Sequence, residues 1–342
     1  MKKIMIPAIL ISAAALAACS AEEEPAMEVE EAVEETDAEA VPAEEDGAEE
    51  ETAETEEAAE AVPTESEIEL THVHGLGITG DGAALYVPAH DGLKVFEDSV
   101  WRAAEVAPHD FMGFSMVDDG FYTSGHPAPG SDLKNPFGVS RSTDMGETLE
   151  NLSLYGEIDF HAMDVGYNSH AIYVINPQPN SVMDEAGLYY STDDAATWTH
   201  SAAEGISGQL MAIAVHPTEE GTVAAAGEQG VFVSEDFGET FTEVTDIPST
   251  AVEFAPDGTL LAGGVADPFT LTVFSDDFSE GTALPIPELS GQNAISYIAV
   301  NPENEEQIFF STFERDIYLS EDGGESWEQI ADNGTGIDLV QP

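Results

Sequence analysis

The sequence predicts an all-β chain, a β-propeller of six four-stranded blades preceded by a disordered acidic linker. Three observations predict it. One turn sequence recurs at starts separated by about 41 to 49 residues, the spacing of a four-stranded propeller blade. Short apolar runs of strand length surround each copy of that turn. The stretch ahead of the first such run is of a different composition and holds no core-forming pattern.

The recurrent turn reads Ser142-Thr143-Asp144-Met145-Gly146-Glu147-Thr148-Leu149, then Ser191 to Trp198, then Ser234 to Phe241, and most fully Ser320-Glu321-Asp322-Gly323-Gly324-Glu325-Ser326-Trp327. A worn copy begins at Ser275-Asp276-Asp277. Each residue type has a mechanical reason. The Asp side chain accepts hydrogen bonds from turn amides, Gly supplies a positive φ, and the closing Trp or Phe packs between blades. Strands are expected at Leu210–Val215, Thr222–Ala226, Val231–Ser234 and Thr240–Val244 in one blade. In the last blade they are expected at Ile295–Val300, Gln307–Ser311, Ile317–Ser320 and Ser326–Ile330. Two further blades fit ahead of the first copy, one from Thr71 with a degenerate turn near Glu97-Asp98 and one from Asp110, giving six. Too few residues follow Ala331 for a seventh.

Residues 1–18 have the layout of a bacterial lipoprotein signal peptide: Lys2 and Lys3, an apolar stretch, then Leu16-Ala17-Ala18-Cys19. Cys19 is expected to carry the lipid, the alternative being an ordinary cleaved signal peptide. As the sole cysteine it leaves no intrachain disulfide. Residues 19–66 read as the tether and 67–342 as the propeller. Ala21 to Ser66 is mostly Glu, Ala, Thr, Val and Pro, and its like charges oppose both burial and a stable helix. As a coil it would reach roughly 40 Å. The expected location is therefore extracytoplasmic and lipid-anchored, with membrane contact only through the lipid.

The net charge is −62, and about 21 of the 69 acidic residues lie in the linker, so the folded region is itself strongly anionic. Nucleic acid and anionic lipid surfaces are excluded as partners by the sign of the charge. An acidic surface with so little lysine suits a high-salt medium and predicts a halophilic source.

Propeller geometry puts the starts of the inner strands and the loops between second and third strands on one face, and the recurrent turns on the other. The first face collects His72, His74, His90, His109, His126 and His161, six of the nine histidines. Asn176, Gln178, Asn180 and Arg315 join them as ligand-binding candidates. The central mouth of that face is where a propeller engages its ligand.

The chain from Thr71 onward resembles the bacterial extracytoplasmic Asp-box (bacterial neuraminidase repeat, BNR) propellers often labelled glycosylhydrolase. The carriers of that resemblance are His72-Val73-His74-Gly75-Leu76, Pro88-Ala89-His90-Asp91-Gly92-Leu93, Gly125 to Pro136 and Asn176-Pro177-Gln178-Pro179-Asn180-Ser181. It is more distantly similar to sialidases, sortilin-type propellers and photosystem II assembly factors. The resemblance implies fold more firmly than activity, because this fold hosts hydrolases, receptors and assembly factors.

A sialidase grips its sugar carboxylate with three arginines, and of Arg102, Arg141 and Arg315 only Arg315 is well placed, so a standard sialidase is not expected. A two-carboxylate glycoside hydrolase could draw on Asp91, Asp110, Asp159 or Glu228. Alignment of the inner strands places His74, Met112, His161 and Met211 around the channel, a set that suits copper, or zinc with carboxylates. The first expectation is a monomeric, non-catalytic propeller binding a glycan, peptide or extracytoplasmic protein at the histidine-rich mouth. Glycan hydrolysis and metal binding are the alternatives.

Overall fold

The structure, a computed structural model, describes residues 62–289, 291 and 293–340. The signal segment, Cys19 and the acidic run as far as residue 61 lie outside the described residues. The described residues form strands and turns only.

The first strand, β1 (Val62–Glu69), is followed by a blade of β2 (Gly77–Ile78), β3 (Ala84–Ala89), β4 (Gly92–Glu97) and β5 (Val100–Ala103). The second blade is β6 (Asp110–Val117), β7 (Gly120–His126), β8 (Val139–Ser142) and β9 (Glu150–Ser153), and the third is β10 (Met163–Val165), β11 (Ile172–Asn176), β12 (Gly187–Ser191) and β13 (Thr199–His200). The fourth is β14 (Leu210–Val215), β15 (Val223–Gly227), β16 (Gly230–Ser234) and β17 (Thr242–Thr245). The fifth is β18 (Ser249–Phe254), β19 (Leu260–Gly264), β20 (Thr270–Phe274) and β21 (Gly281–Leu284). The sixth is β22 (Ile295–Asn301), β23 (Asn304–Thr312), β24 (Ile317–Ser320) and β25 (Glu328–Asp332), and it continues into β26 (Thr335–Val340). The chain is thus a six-bladed β-propeller. Five sheets have four strands, and the sixth has six because β26 and then β1 add to its outer edge.

That addition explains where both ends of the domain go. β1 pairs antiparallel with β26, Thr64 opposite Asp338 and Glu65 opposite Ile337. Val62–Ser66, which composition assigns to the linker, are therefore strand residues, and the segment after Ala331 extends the last blade.

Apolar packing closes the ring. Six buried clusters each draw side chains from two adjacent blades, for example Phe114 and Phe121 against Tyr86 and Val95, or Phe310 and Ile298 against Leu261 and Leu271. Alternation within each strand sends one row of side chains to each neighbouring blade. The inner strands are mostly buried, β6 at every position after Asp110.

The recurrent turns share one hydrogen-bond set. In the third full copy Ser234 Oγ–H donates to Asp236 at 2.8 Å, while Thr240 N–H and Oγ1–H donate to its two carboxylate oxygens at 2.8 and 2.6 Å. The copies at Asp144, Asp193 and Asp322 repeat the set within a tenth or two of an ångström. This bonding accounts for a shift in the outer strands. Thr240 and Ser326 give their N–H groups to the aspartate, so ladder pairing starts two residues later than the apolar pattern suggests, at Thr242 and Glu328. Asp194 and Ala195 hold φ near 53° and 60° in the copy that lacks glycine there, a left-handed strain that the fixed turn over-determines.

Candidate functional site

The six inner strands surround a channel of about 210 Å³. His74, His161, Met211 and Phe313 line one end of it, and Tyr167, Pro256 and Pro302 the other. The histidine-bearing end is formed by the segment before β2, the β3–β4 turn, the start of β6 and the segment before β10.

At this mouth three histidines come together. His72 and His74 lie before β2, and His90 lies in the β3–β4 turn; the His74 N–H donates to the Pro88 carbonyl at 3.0 Å, which ties the two segments. Ring centroids are 4.7 Å apart for His72 and His90, 4.8 Å for His74 and His90, and 5.6 Å for His72 and His74. One ring nitrogen from each lies within 4.8 Å of the others. His72 Nδ1 is 2.8 Å from His90 Nε2, and His90 Nδ1 is 2.8 Å from Asp110 Oδ2. A carboxylate only accepts, so His90 Nδ1 carries the proton; in the neutral ring Nε2 is then the lone pair and His72 Nδ1–H the donor.

His74 differs from its two neighbours in being mostly buried. Desolvation pulls its pKa down to about 4, against an opposing pull from Asp110, so it is neutral near pH 7. Its Nε2 stands 3.4 Å from Asp110 Oδ1 but is not aimed to form a hydrogen bond, and both atoms are buried without a partner.

A second constellation lies beside the first. Asp159 Oδ2 is 2.7 Å from His161 Nε2 and 3.3 Å from His126 Nε2, while Oδ1 is buried and unpartnered. Burial raises the Asp159 pKa, but the His161 hydrogen bond and the charges of His161 and His126 outweigh it and hold the carboxyl below its usual range. The same hydrogen bond raises the His161 pKa. Asn135 Oδ1 fixes the other side of His126 at 2.6 Å from Nδ1.

The remaining candidates are placed elsewhere. His109 is buried between Phe111 and Phe137 and accepts the Ala128 N–H at 2.9 Å, a packing role. Asn176 is buried, donating to the Glu185 carbonyl and accepting from Asn180, so both amides hold their own loop; Gln178 is exposed. Asp91 pairs with Lys94 at 2.8 Å, and Glu228 is exposed. Arg315 donates to the Thr71 carbonyl at 3.3 Å, beside His72, while Arg102 and Arg141 pair with Glu97 and Asp119, so the three arginines have separate partners.

The expected ring of His74, Met112, His161 and Met211 is not the arrangement found. Gly113 has φ near 50°, and the pairing of β6 with β7 shifts between Met112 and Ser115. This break in alternation puts Gly113, not Met112, on the channel wall, and Met112 is buried off it.

Two residues of the channel escaped the sequence reading. Asp164 in β10 and Glu253 in β18 both line it. Burial raises the Asp164 carboxyl to about 6, even though it accepts the Ser115 hydroxyl at 2.8 Å and the Val215 N–H at 2.6 Å. Burial raises Glu253 well above the usual range, with Asp164 adding to it. A single carboxylate inside an apolar inner strand, as in Met163-Asp164-Val165 and Val252-Glu253-Phe254, was the available signal.

No protein-family model matches the chain, and no curated protein matches it in sequence. Among solved structures, the chain is similar to a GH74 enzyme of Niastella koreensis at 15% identity and a TM-score of 0.52, covering 80% of this chain and 47% of that one. It therefore spans about half the length of that enzyme. YCF48 bound to D1 peptide matches at 15% identity and a TM-score of 0.47 over 80% of this chain and 85% of its own. An ancestral GH74 enzyme matches at 11% and 0.47 over 80% and 40%. The class defined is a six-bladed β-propeller. At one mouth of its channel this chain carries the two histidine–aspartate clusters described above.

Proposed function

We propose that this chain is an extracytoplasmic binding propeller, tethered through a lipid on Cys19, that takes a polar ligand on its histidine-lined mouth. The observation that carries the reading is the set of buried polar atoms left unpartnered there: His74 Nε2, Asp110 Oδ1 and Asp159 Oδ1. Such atoms are costly to leave unmade, and a ligand supplying hydrogen bonds would satisfy them. The channel behind the mouth is small beside the roughly 300–1,000 Å³ of typical small-molecule pockets, so the ligand sits across the opening rather than within it.

Glycan hydrolysis is the second reading. What favours it is Asp110 and Asp159 at the same mouth, each with one oxygen held by histidine and the other free. The full-length chain and its Asp159→Asn/His161→Ala variant are tested against immobilised oligosaccharides and peptides. Saturable capture by the parent that the variant loses, without released sugar, is the expected result. Released sugar would make the protein a hydrolase, and equal capture by both proteins would overturn the mouth as the binding place.

A further inference from the structure

We infer that His72, His74 and His90 form a three-imidazole site for a divalent transition-metal ion, zinc or copper, with Asp110 holding His90 from behind. The inference rests on the mouth being the binding place and names what that place holds.

The geometry is near that of a formed site. Ring nitrogens that lie within 4.8 Å of one another leave a central point at most roughly 2.8 Å from each. A zinc–imidazole bond is about 2.0–2.1 Å, so closure asks less than an ångström of each ring. His72 and His90 are exposed and free to make that movement, while His74 is anchored by its backbone bond to Pro88.

The donor chemistry fits as well. A metal needs the lone pair of a neutral imidazole, and His74 Nε2 is buried at the mouth with no hydrogen-bond partner to occupy it. His90 presents Nε2 inward because Asp110 fixes the proton on Nδ1. A carboxylate behind a ligating imidazole is the usual device for setting its tautomer and raising its basicity. Without metal, the inward lone pair of His90 is met by His72 Nδ1–H at 2.8 Å. Binding replaces that single hydrogen bond and returns the His72 proton to Nε2, with no net proton released from the neutral rings.

A zinc held by three nitrogen ligands would keep a fourth position, and the exposure of His72 and His90 would let a molecule from solvent reach it. An open position is the mark of a site that binds something through its metal rather than a structural one. Among the described residues the other cluster of this type, Asp118, Asp119 and His170, lies on the opposite face and already holds a cation, since Arg141 reaches both Asp119 oxygens at 2.8 and 2.7 Å.

The test uses the full chain, stripped with chelator and dialysed against Zn(II) or Cu(II) in molar salt with a competing chelator, so that the acidic surface does not retain metal. Bound metal is measured by elemental analysis and the copper form by electron paramagnetic resonance. The parent and His200→Gln, a change on the outer strand β13 away from the mouth, should each retain one equivalent, with nitrogen hyperfine structure for copper. His72→Gln and His90→Gln, both at exposed positions, should lose at least tenfold in affinity, and Asp110→Asn about 10–100-fold. Equal retention by the parent, His72→Gln and His90→Gln would overturn the site, as would a copper spectrum without nitrogen coupling. The same proteins are carried through the oligosaccharide and peptide panel. Metal retained without capture would sustain this site and overturn only the wider reading of the mouth.

Discussion

The indole Nε1–H of Trp101 donates to the Ile330 carbonyl at 2.6 Å, joining the first blade to the last across 229 residues of sequence. The Trp101 N–H donates in turn to Asp338 in β26 at 2.8 Å, and the Trp101 ring packs in the cluster shared by those blades. The ring of blades is therefore closed by side-chain bonding as well as by the β1–β26 ladder. Trp101→Phe should cost about 1–3 kcal/mol, the penalty of leaving a buried carbonyl unpaired. Trp101→Ala should cost about 3–5 kcal/mol. Guanidinium titration should show a lower midpoint at unchanged slope; an unmoved midpoint in Trp101→Ala would mean that closure does not limit stability.

The blade architecture was legible because a repeat multiplies a weak local signal: the turn at Asp236 is ordinary alone, but four copies in register fix both strand spacing and blade number. The mouth was legible in part, since topology alone assigns His72, His74, His90 and His161 to one face. What failed was the count along β6, whereas His74, His161 and Met211 do line the channel. Met112 was misplaced because one positive-φ residue, Gly113, shifts the alternation. Polar type at a loop does not reveal that a side chain turns inward to a backbone partner, as His109 does to the Ala128 N–H and Asn176 to the Glu185 carbonyl.

The turn aspartates should govern acid stability. Hydrogen bonds from Thr240 and Ser234 hold the Asp236 carboxyl below its usual range, and Asp144, Asp193 and Asp322 are held likewise. A depressed folded pKa contributes stability that is present above the unfolded value of about 3.8 and lost as pH falls through the folded value. The melting temperature should therefore drop steeply below about pH 4. Asp236→Ala should melt lower than the parent at neutral pH, with the gap narrowing in acid. A gap constant across that range would show that the carboxylate charge contributes nothing to the turn.

His109 should separate stability from ligand capture. Its ring fills the space between Phe111 and Phe137, and burial lowers its pKa, so it is a neutral core residue that also accepts the Ala128 N–H. His109→Ala should destabilise by about 2–4 kcal/mol through the cavity and the lost acceptor. Capture at the mouth, measured well below the melting temperature, should be unchanged. A variant that folds as well as the parent but loses capture would place His109 in the site.

The channel carboxylates make the opposite pH contribution to that of the turns. Asp164 is raised to about 6 and Glu253 is raised as well, so the folded state holds their protons more tightly than the unfolded chain does. Stability from this source is full below about pH 4 and falls as pH rises through about 6, by at most about 3 kcal/mol for Asp164. Of the two, Glu253 should keep its proton to the higher pH, because Asp164 has the Ser115 hydroxyl and the Val215 amide to support its charge. Glu253→Gln should then raise the melting temperature at pH 8 and have no effect near pH 4. Asp164→Asn should gain less, since the Val215 N–H and Ser115 hydroxyl would face an amide in place of a carboxylate. A lower melting temperature of Glu253→Gln at pH 8 would show that burial in the channel does not disfavour the ionised glutamate.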